Sequence, residues 1–99
     1  MVVVITKKEG NDFESKNIEL NGLVNAKFDF MDNEIEFKIV LYKNELQVHS
    51  SIPLCYYKNG KINMLDAKND HILDATIRES LVYPVFDKRA LFEFAVKGE

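Results

Sequence analysis

Four carboxylates stand close together in "FDFMDNEIEFKI", residues 28–39: Asp29, Asp32, Glu34 and Glu36, with no basic residue between Lys27 and Lys38. Oxygen ligands at that density could hold a hard cation. They could share acid–base work if one acid were desolvated, or they could face a basic protein surface. The stretch lacks the Asp-x-Asp-x-Asp-Gly spacing and closing Glu of a calcium loop, and its pattern buries none of the acids. With a turn at Asp32-Asn33, Asp29, Glu34 and Glu36 lie on the outward face of one hairpin, within about 5–8 Å of each other as direct and diagonal cross-strand neighbours. A solvated face, its repulsion offset by Lys27 and Lys38, is the plainest account, and contact with a basic partner is the functional one. No metal site is expected.

The remaining reactive side chains are few. His49 follows Val48 and should point outward beside Ser50 and Ser51. His71 and Asp74 have the i, i+3 spacing of helical metal ligands, but two ligands are too few, and His71 reads as an exposed histidine in a first helical turn. Cys55 is the sole cysteine. A nucleophilic thiol needs an electropositive setting and a histidine in space. His49 could approach it, yet "SIPLCYY" reads as a strand with Cys55 as a small buried apolar residue. Tyr56 and Tyr57 are adjacent, so on a strand one ring faces in and the other out. Together with Tyr42 they could anchor an interface, where tyrosine brings large area at low entropy cost. The chain has no Gly-rich phosphate loop, no Gly-x-Ser-x-Gly and no Cys-x-x-Cys. No catalytic residue and no cofactor are therefore assigned, and the chain is not expected to be an enzyme.

The elements that must position these groups are mostly strands. "EGND", "NG" at 21–22, "DN" at 32–33, "KN" at 43–44 and "NG" at 59–60 punctuate the chain, and such pairs favour the positive φ of tight hairpin turns. Residues 2–6 (VVVIT) form a β-branched buried strand, and 16–20 a weaker one. Residues 24–31 place Val24, Ala26, Phe28 and Phe30 on one face. Residues 34–42 place Ile35, Phe37, Ile39 and Leu41 inward and Glu34, Glu36 and Lys38 outward, after which Val40 and Tyr42 add apolar mass to the outer side. Residues 45–50 continue with Leu46 and Val48 inward. Residues 52–58 and 61–65 flank Asn59-Gly60 as a hairpin, with Pro53 confined to a strand start or edge because it cannot donate to a ladder.

The pattern changes in "NDHILDATIRESLVYP". Leu73, Ile77 and Leu81 recur at i, i+4, i+8, Asn69 or Asp70 can cap, Asp74 and Arg78 can pair at i, i+4, and Pro84 ends the run. This spacing predicts a helix over about 70–82. Residues 87–97 read as a strand with Ala90, Phe92, Phe94 and Val96 on one face. Read instead as a helix, Asp87 would cap them and Gly98 would stop them. The strand is preferred. The expected fold is α+β: a bent, meander-like antiparallel sheet of about six to seven strands, with one helix at about 70–82 packed on one face.

Composition sets the outer limits. Ninety-nine residues, 46% hydrophobic and 29% charged with four glycines and two prolines, fit a single globular domain over 1–99. The net charge is −3, and it is uneven: residues 1–50 carry six lysines against nine acids, and residues 51–99 carry seven bases against seven acids. Without a basic run, neither nucleic acid nor an anionic membrane is an expected partner. The apolar start "MVVVIT" is too short for a signal sequence or a membrane span, and one cysteine argues against a disulfide-stapled secreted domain. A cytoplasmic location is expected. These readings converge on a non-enzymatic acidic protein-binding module of the inhibitor, immunity or accessory-subunit kind. It would act through a sheet face or hairpin tips, with Asp29, Asp32, Glu34, Glu36, Tyr42, Tyr56 and Tyr57 as contacts and another protein as partner, a basic one suiting the acidic hairpin. The alternative is a structural domain that pairs with a second copy through Val40, Tyr42 and one of Tyr56 or Tyr57. A small metal-dependent or hydrolytic enzyme ranks third.

Overall fold

Alternation of apolar and polar residues dictates strands with one dry face, and each dry face needs a cover. In the computed structural model the cover is a second sheet. The structure describes residues 1–30, 32–58, 61–64, 70–74, 78–85 and 88–97, with the backbone path alone for 56–58, 61–64, 74, 79, 83–85 and 88–89. Among the described residues ten strands run in chain order: β1 (Val2–Glu9), β2 (Asp12–Glu19), β3 (Val24–Phe30), β4 (Asn33–Tyr42), β5 (Glu45–Ser50), β6 (Cys55–Lys58), β7 (Lys61–Met64), β8 (Asp70–Asp74), β9 (Glu79–Val85) and β10 (Lys88–Lys97). They form a six-stranded sheet, β2-β1-β10-β9-β6-β7, and a four-stranded sheet, β3-β4-β5-β8, and every pairing is antiparallel.

Two features correct the sequence reading. The chain is not one bent meander, because it crosses between the sheets after β2, β5, β7 and β8. The fold is also not α+β: residues 70–74 and 79–82 of the expected helix lie in strands, and among the described residues there is no helix. The reason is phase. Leu73 and Leu81 are eight residues apart, a separation that returns to the same side of both a helix and a strand. Both are buried, at 1% and 0% exposed, whereas Ile72, which a helical stripe would cover, is 64% exposed. Arg78, expected on a helix, pairs with Glu93 of β10, at 3.1 Å. Pro84 lies inside β9, opposite Arg89. It is tolerated because the pairing of β9 with β6 stops at Val82, so Pro84 breaks no ladder on that side.

The strand reading of the C-terminal segment agrees with β10, where Ala90, Phe92 and Phe94 are buried. The Asn59-Gly60 hairpin agrees with the register Lys58↔Lys61, although the two turn residues lie outside those described. Three tight hairpins have visible causes. Gly10 takes φ 60 between Glu9 and Asp12, and Asp32 and Lys43 take φ 64 and φ 56 in the two-residue loops closed by Phe30↔Asn33 and Tyr42↔Glu45.

The core lies between the sheets. Val3 and Ile5 of β1, Leu81 of β9 and Ala90, Phe92 and Phe94 of β10 meet Phe28, Phe30, Ile35, Phe37, Ile39, Leu46, Val48 and Leu73 of the smaller sheet in one cluster. Among the described residues four edge-on ring pairs cross the interface: Phe37 with Phe92 and Phe94, at 5.1 and 5.3 Å between centroids, and Phe28 and Phe30 with Phe92, at 5.9 and 6.3 Å. That geometry is the favoured one for aromatic quadrupoles. Among the described residues no helix is long and apolar enough to cross a membrane.

Candidate functional site

Because β3, β4, β5 and β8 turn one set of alternate residues to the core, the other set forms a continuous outer face. The backbone register arranges it in cross-strand rows. Asp29 stands opposite Glu34, Lys27 opposite Glu36, Asn25 opposite Lys38. Lys38 is followed by His49 and Asp70, Val40 by Gln47 and Ile72, and Tyr42 by Glu45 and position 74. The acidic hairpin and Tyr42, separate candidates in the sequence, thus occupy the two ends of one strand face.

At the hairpin end, Asp29, Glu34 and Glu36 do share the outward face, as alternation requires. The turn falls one residue earlier than Asp32-Asn33: Asn33 already pairs with Phe30, and Asp32 belongs to the loop. Lys27 stands opposite Glu36 and diagonal to Glu34, its Nζ 3.9 Å from Glu36 Oε2 and 3.8 Å from Glu34 Oε1. The carboxylates are therefore offset by a cation from their own sheet, and all three side chains of this triplet are solvated. At the tip, Asp29, Phe30, Asp32, Asn33 and Glu34 line a depression of about 490 Å³.

At the other end the face turns apolar. Leu23, Tyr42 and Ile72 are 66%, 59% and 64% exposed. Leu23, Val40 and Ile72 line a groove of about 450 Å³ together with Lys38, Gln47, His49 and Asp70. His49 Nδ1 lies 2.5 Å from Asp70 Oδ1, a bond between neighbours in one row of the sheet. Lys43 Nζ stands 5.5 Å from the Tyr42 ring centroid, a cation–π distance.

The His49–Asp70 pair has the form of the orienting half of a nucleophilic triad, but the described residues lining the groove include no serine, threonine or cysteine. His49 does not meet Cys55: His49 is on the outer face of the smaller sheet, whereas Cys55 is a buried residue of the larger sheet, in register with Met64 and Val82. Among the described residues no group of three or more His, Cys, Asp or Glu is placed to hold a metal ion.

Of the sequence-derived candidates, the structure brings Asp29, Glu34, Glu36 and Tyr42 onto one face. Tyr56 and Tyr57 lie in the other sheet, in register with Leu81 and Ser80, and their side chains fall outside those described. His71, expected to be exposed on a helix, is buried at 3% in β8, and Ser50, expected beside His49 on the surface, is buried at the core-facing end of β5. Leu23, Lys38, His49, Asp70 and Ile72 were not anticipated as one site. The alternation in "LQVHS" places Gln47 and His49 outward, but only the pairing of β5 with β8 brings Asp70 and Ile72 beside them. Comparison with protein-family models, with curated proteins and with solved structures finds no match for this chain, so its function is read from its own geometry.

Proposed function

We propose that the chain is a protein-binding module whose contact surface is the outer face of the four-stranded sheet. The observation that carries this reading is the gathering of Leu23 and Ile72, both more than half exposed, around the Val40 groove on a single sheet face, with the exposed Tyr42 one row further along. Exposed apolar residues scattered singly need no explanation, but a contiguous group rimmed by polar side chains is the form of a binding surface. Its anatomy matches that of interfaces in general: an apolar centre with an aromatic anchor, and a rim of Lys38, Gln47, His49 and Asp70 able to hydrogen-bond. The carboxylates of Asp29, Asp32, Glu34 and Glu36 extend the face toward the hairpin tip, where they would steer a partner of opposite charge. The single cysteine suits a reducing compartment, and the cytoplasm is the location proposed on that ground.

The test is capture from host lysate on the immobilised chain. The pair Leu23→Ser with Ile72→Ser should lose the captured protein while the far-UV spectrum is unchanged. The triple replacement of Asp29, Glu34 and Glu36 by Ser should slow association more than it speeds release, because rim charges act mainly on encounter. A captured set that is identical for the parent chain and the apolar variant overturns the proposal.

A further inference from the structure

We infer that the occupant of the apolar half of this face is a second copy of the same chain, docked about a two-fold axis that runs along β5 and lays β4 of each copy over β8 of the other. The inference names the partner for the binding face proposed above and rests on that reading. What carries it is the order of residues within the rows. Strand β5 lies between β4 and β8. A two-fold axis along β5, in the plane of contact, keeps each row at its own height and exchanges its two ends. The row Lys38, His49, Asp70 has a cation at one end and a carboxylate at the other. Exchange sets Lys38 against Asp70 of the second copy, twice. The next row, Val40, Gln47, Ile72, is apolar at both ends, so exchange sets Val40 against Ile72 of the second copy, again twice.

On the axis itself the outward β5 residues meet their own copies: His49, whose Nδ1 is held by Asp70 of its own sheet at 2.5 Å, and Gln47. An amide has both donor and acceptor, so two of them can bond reciprocally. One row further on, Glu45 meets its own copy at the rim of the contact, where water and salt screen the repulsion. Leu23, which lies beyond β4 at the groove edge, reaches past the second copy's β8 and closes the side of the contact. An isologous interface requires this self-complementarity, and the two central rows meet it, whereas the outermost row of Tyr42, Glu45 and position 74 lies at the edge of the contact. The β3–β4 hairpins lie outside the overlap and emerge at the same end of the dimer, because an axis parallel to the strands preserves their direction. The pair thus presents two acidic tips side by side.

Sedimentation velocity of the full chain, from micromolar to millimolar concentration, tests this. The parent chain should show concentration-dependent dimerisation. Lys38→Asp and Asp70→Lys, made singly, set like charges across the axis and should each weaken association by about tenfold or more. Both reversals in one chain restore opposite charges and should restore the dimer. Ile72→Lys, which leaves the Lys38–Asp70 pairing intact but removes the apolar pair, should give a monomer. Circular dichroism on each variant separates loss of contact from loss of fold. A parent chain that stays monomeric throughout overturns the inference. In that case, loss of the lysate partner by the Leu23 and Ile72 variant shows that the face itself still binds, but binds a different protein. A dimer that none of these replacements weakens, or single reversals that the double reversal does not rescue, also overturns it.

Discussion

Phe37 shows how much one residue decides. It is fully buried, and it touches three rings on two other strands: Phe28 of β3 at 6.2 Å, and Phe92 and Phe94 of β10 in the opposite sheet at 5.1 and 5.3 Å. Removing the ring loses its transfer free energy and leaves a cavity that the stiff sheets close poorly. Phe37→Ala should therefore cost about 3–5 kcal/mol in urea unfolding. Phe13→Ala should lie within about 0.5 kcal/mol of the parent, since that ring is 75% exposed. Lys43 is a residue that its backbone does not suit. Its φ of 56 lies in the left-handed region, which costs a side-chain-bearing residue on the order of 1 kcal/mol. Lys43→Gly removes that strain but enlarges the unfolded ensemble, and the expected net is a small gain, seen as a midpoint shift in denaturant. Lys27 lies between Glu34 and Glu36 on a solvated surface. Lys27→Ala should cost less than about 1 kcal/mol, and the cost should fade as salt is raised. A loss that persists at high salt would show that more than screened charge is involved.

Among the elements, β3 is the edge strand with the clearest protection. It ends the four-stranded sheet, so one side of its backbone has no neighbouring strand in that sheet. The ammonium groups of Lys7 and Lys16, on β1 and β2, donate to the Asp29 and Lys27 carbonyls along that side. The Lys16 Nζ also stands 4.8 Å from the centre of the Phe28 ring. Two cations from one sheet thus close the edge of the other, which blunts a surface that would otherwise template another strand. Replacing both lysines by Ala should raise concentration-dependent aggregation, followed by light scattering on warming; an unchanged aggregation onset would mean that the edge is guarded by something else. The 70–85 region makes the opposite point about elements. Its apolar residues satisfy two periodicities, and neighbouring strands select one of them. Far-UV circular dichroism should accordingly show a β-type spectrum without the helical double minimum, and a helical component would contradict β8 and β9.

At the scale of the molecule, the two sheets share one core. Phe28, Phe30 and Phe37 in the small sheet and Phe92 and Phe94 in the large one cannot be dry unless both sheets are in place. Neither sheet has a second source of cover for its apolar face among the described residues, so the two should unfold together. Tyrosine fluorescence and circular dichroism should give coincident denaturation curves, with the Phe92→Ala variant shifting both by the same amount. Separate midpoints would show that the sheets are independent. The same arrangement explains why the candidate site is on a face and not in a cleft. All of the aromatic bulk outside Tyr42 and Phe13 that the structure describes is spent between the sheets, and what alternation leaves outside becomes the surface on which partners can act.

Local order was legible because it is written in adjacent residues. The alternation in 24–30 and 34–42 gave both the core face and the carboxylate face of the acidic hairpin. The pairs at Gly10-Asn11 and Lys43-Asn44 marked two of the turns, whereas Asp32-Asn33 fell one residue late because Asn33 already pairs with Phe30, and Phe92, Phe94 and Val96 on one parity marked the final strand. Which strands meet was not legible. The join of β1 to β10 brings together residues 2 and 97, and that of β5 to β8 brings together 49 and 70; hydrogen bonds between backbones carry no side-chain signature that would announce such partners. For the same reason Leu73 and Leu81, eight apart and in phase with either a helix or a strand, could not choose between them. The sequence by itself determined that most of the chain forms strands with one dry face, and that Asp29, Glu34 and Glu36 point away from it. Only the tertiary structure decided that the cover is a second sheet, that β8 lies beside β5, and that Leu23, Val40, Tyr42, His49, Asp70 and Ile72 therefore form one surface, because burial fixes the parity of a strand but long-range pairing alone fixes its neighbours.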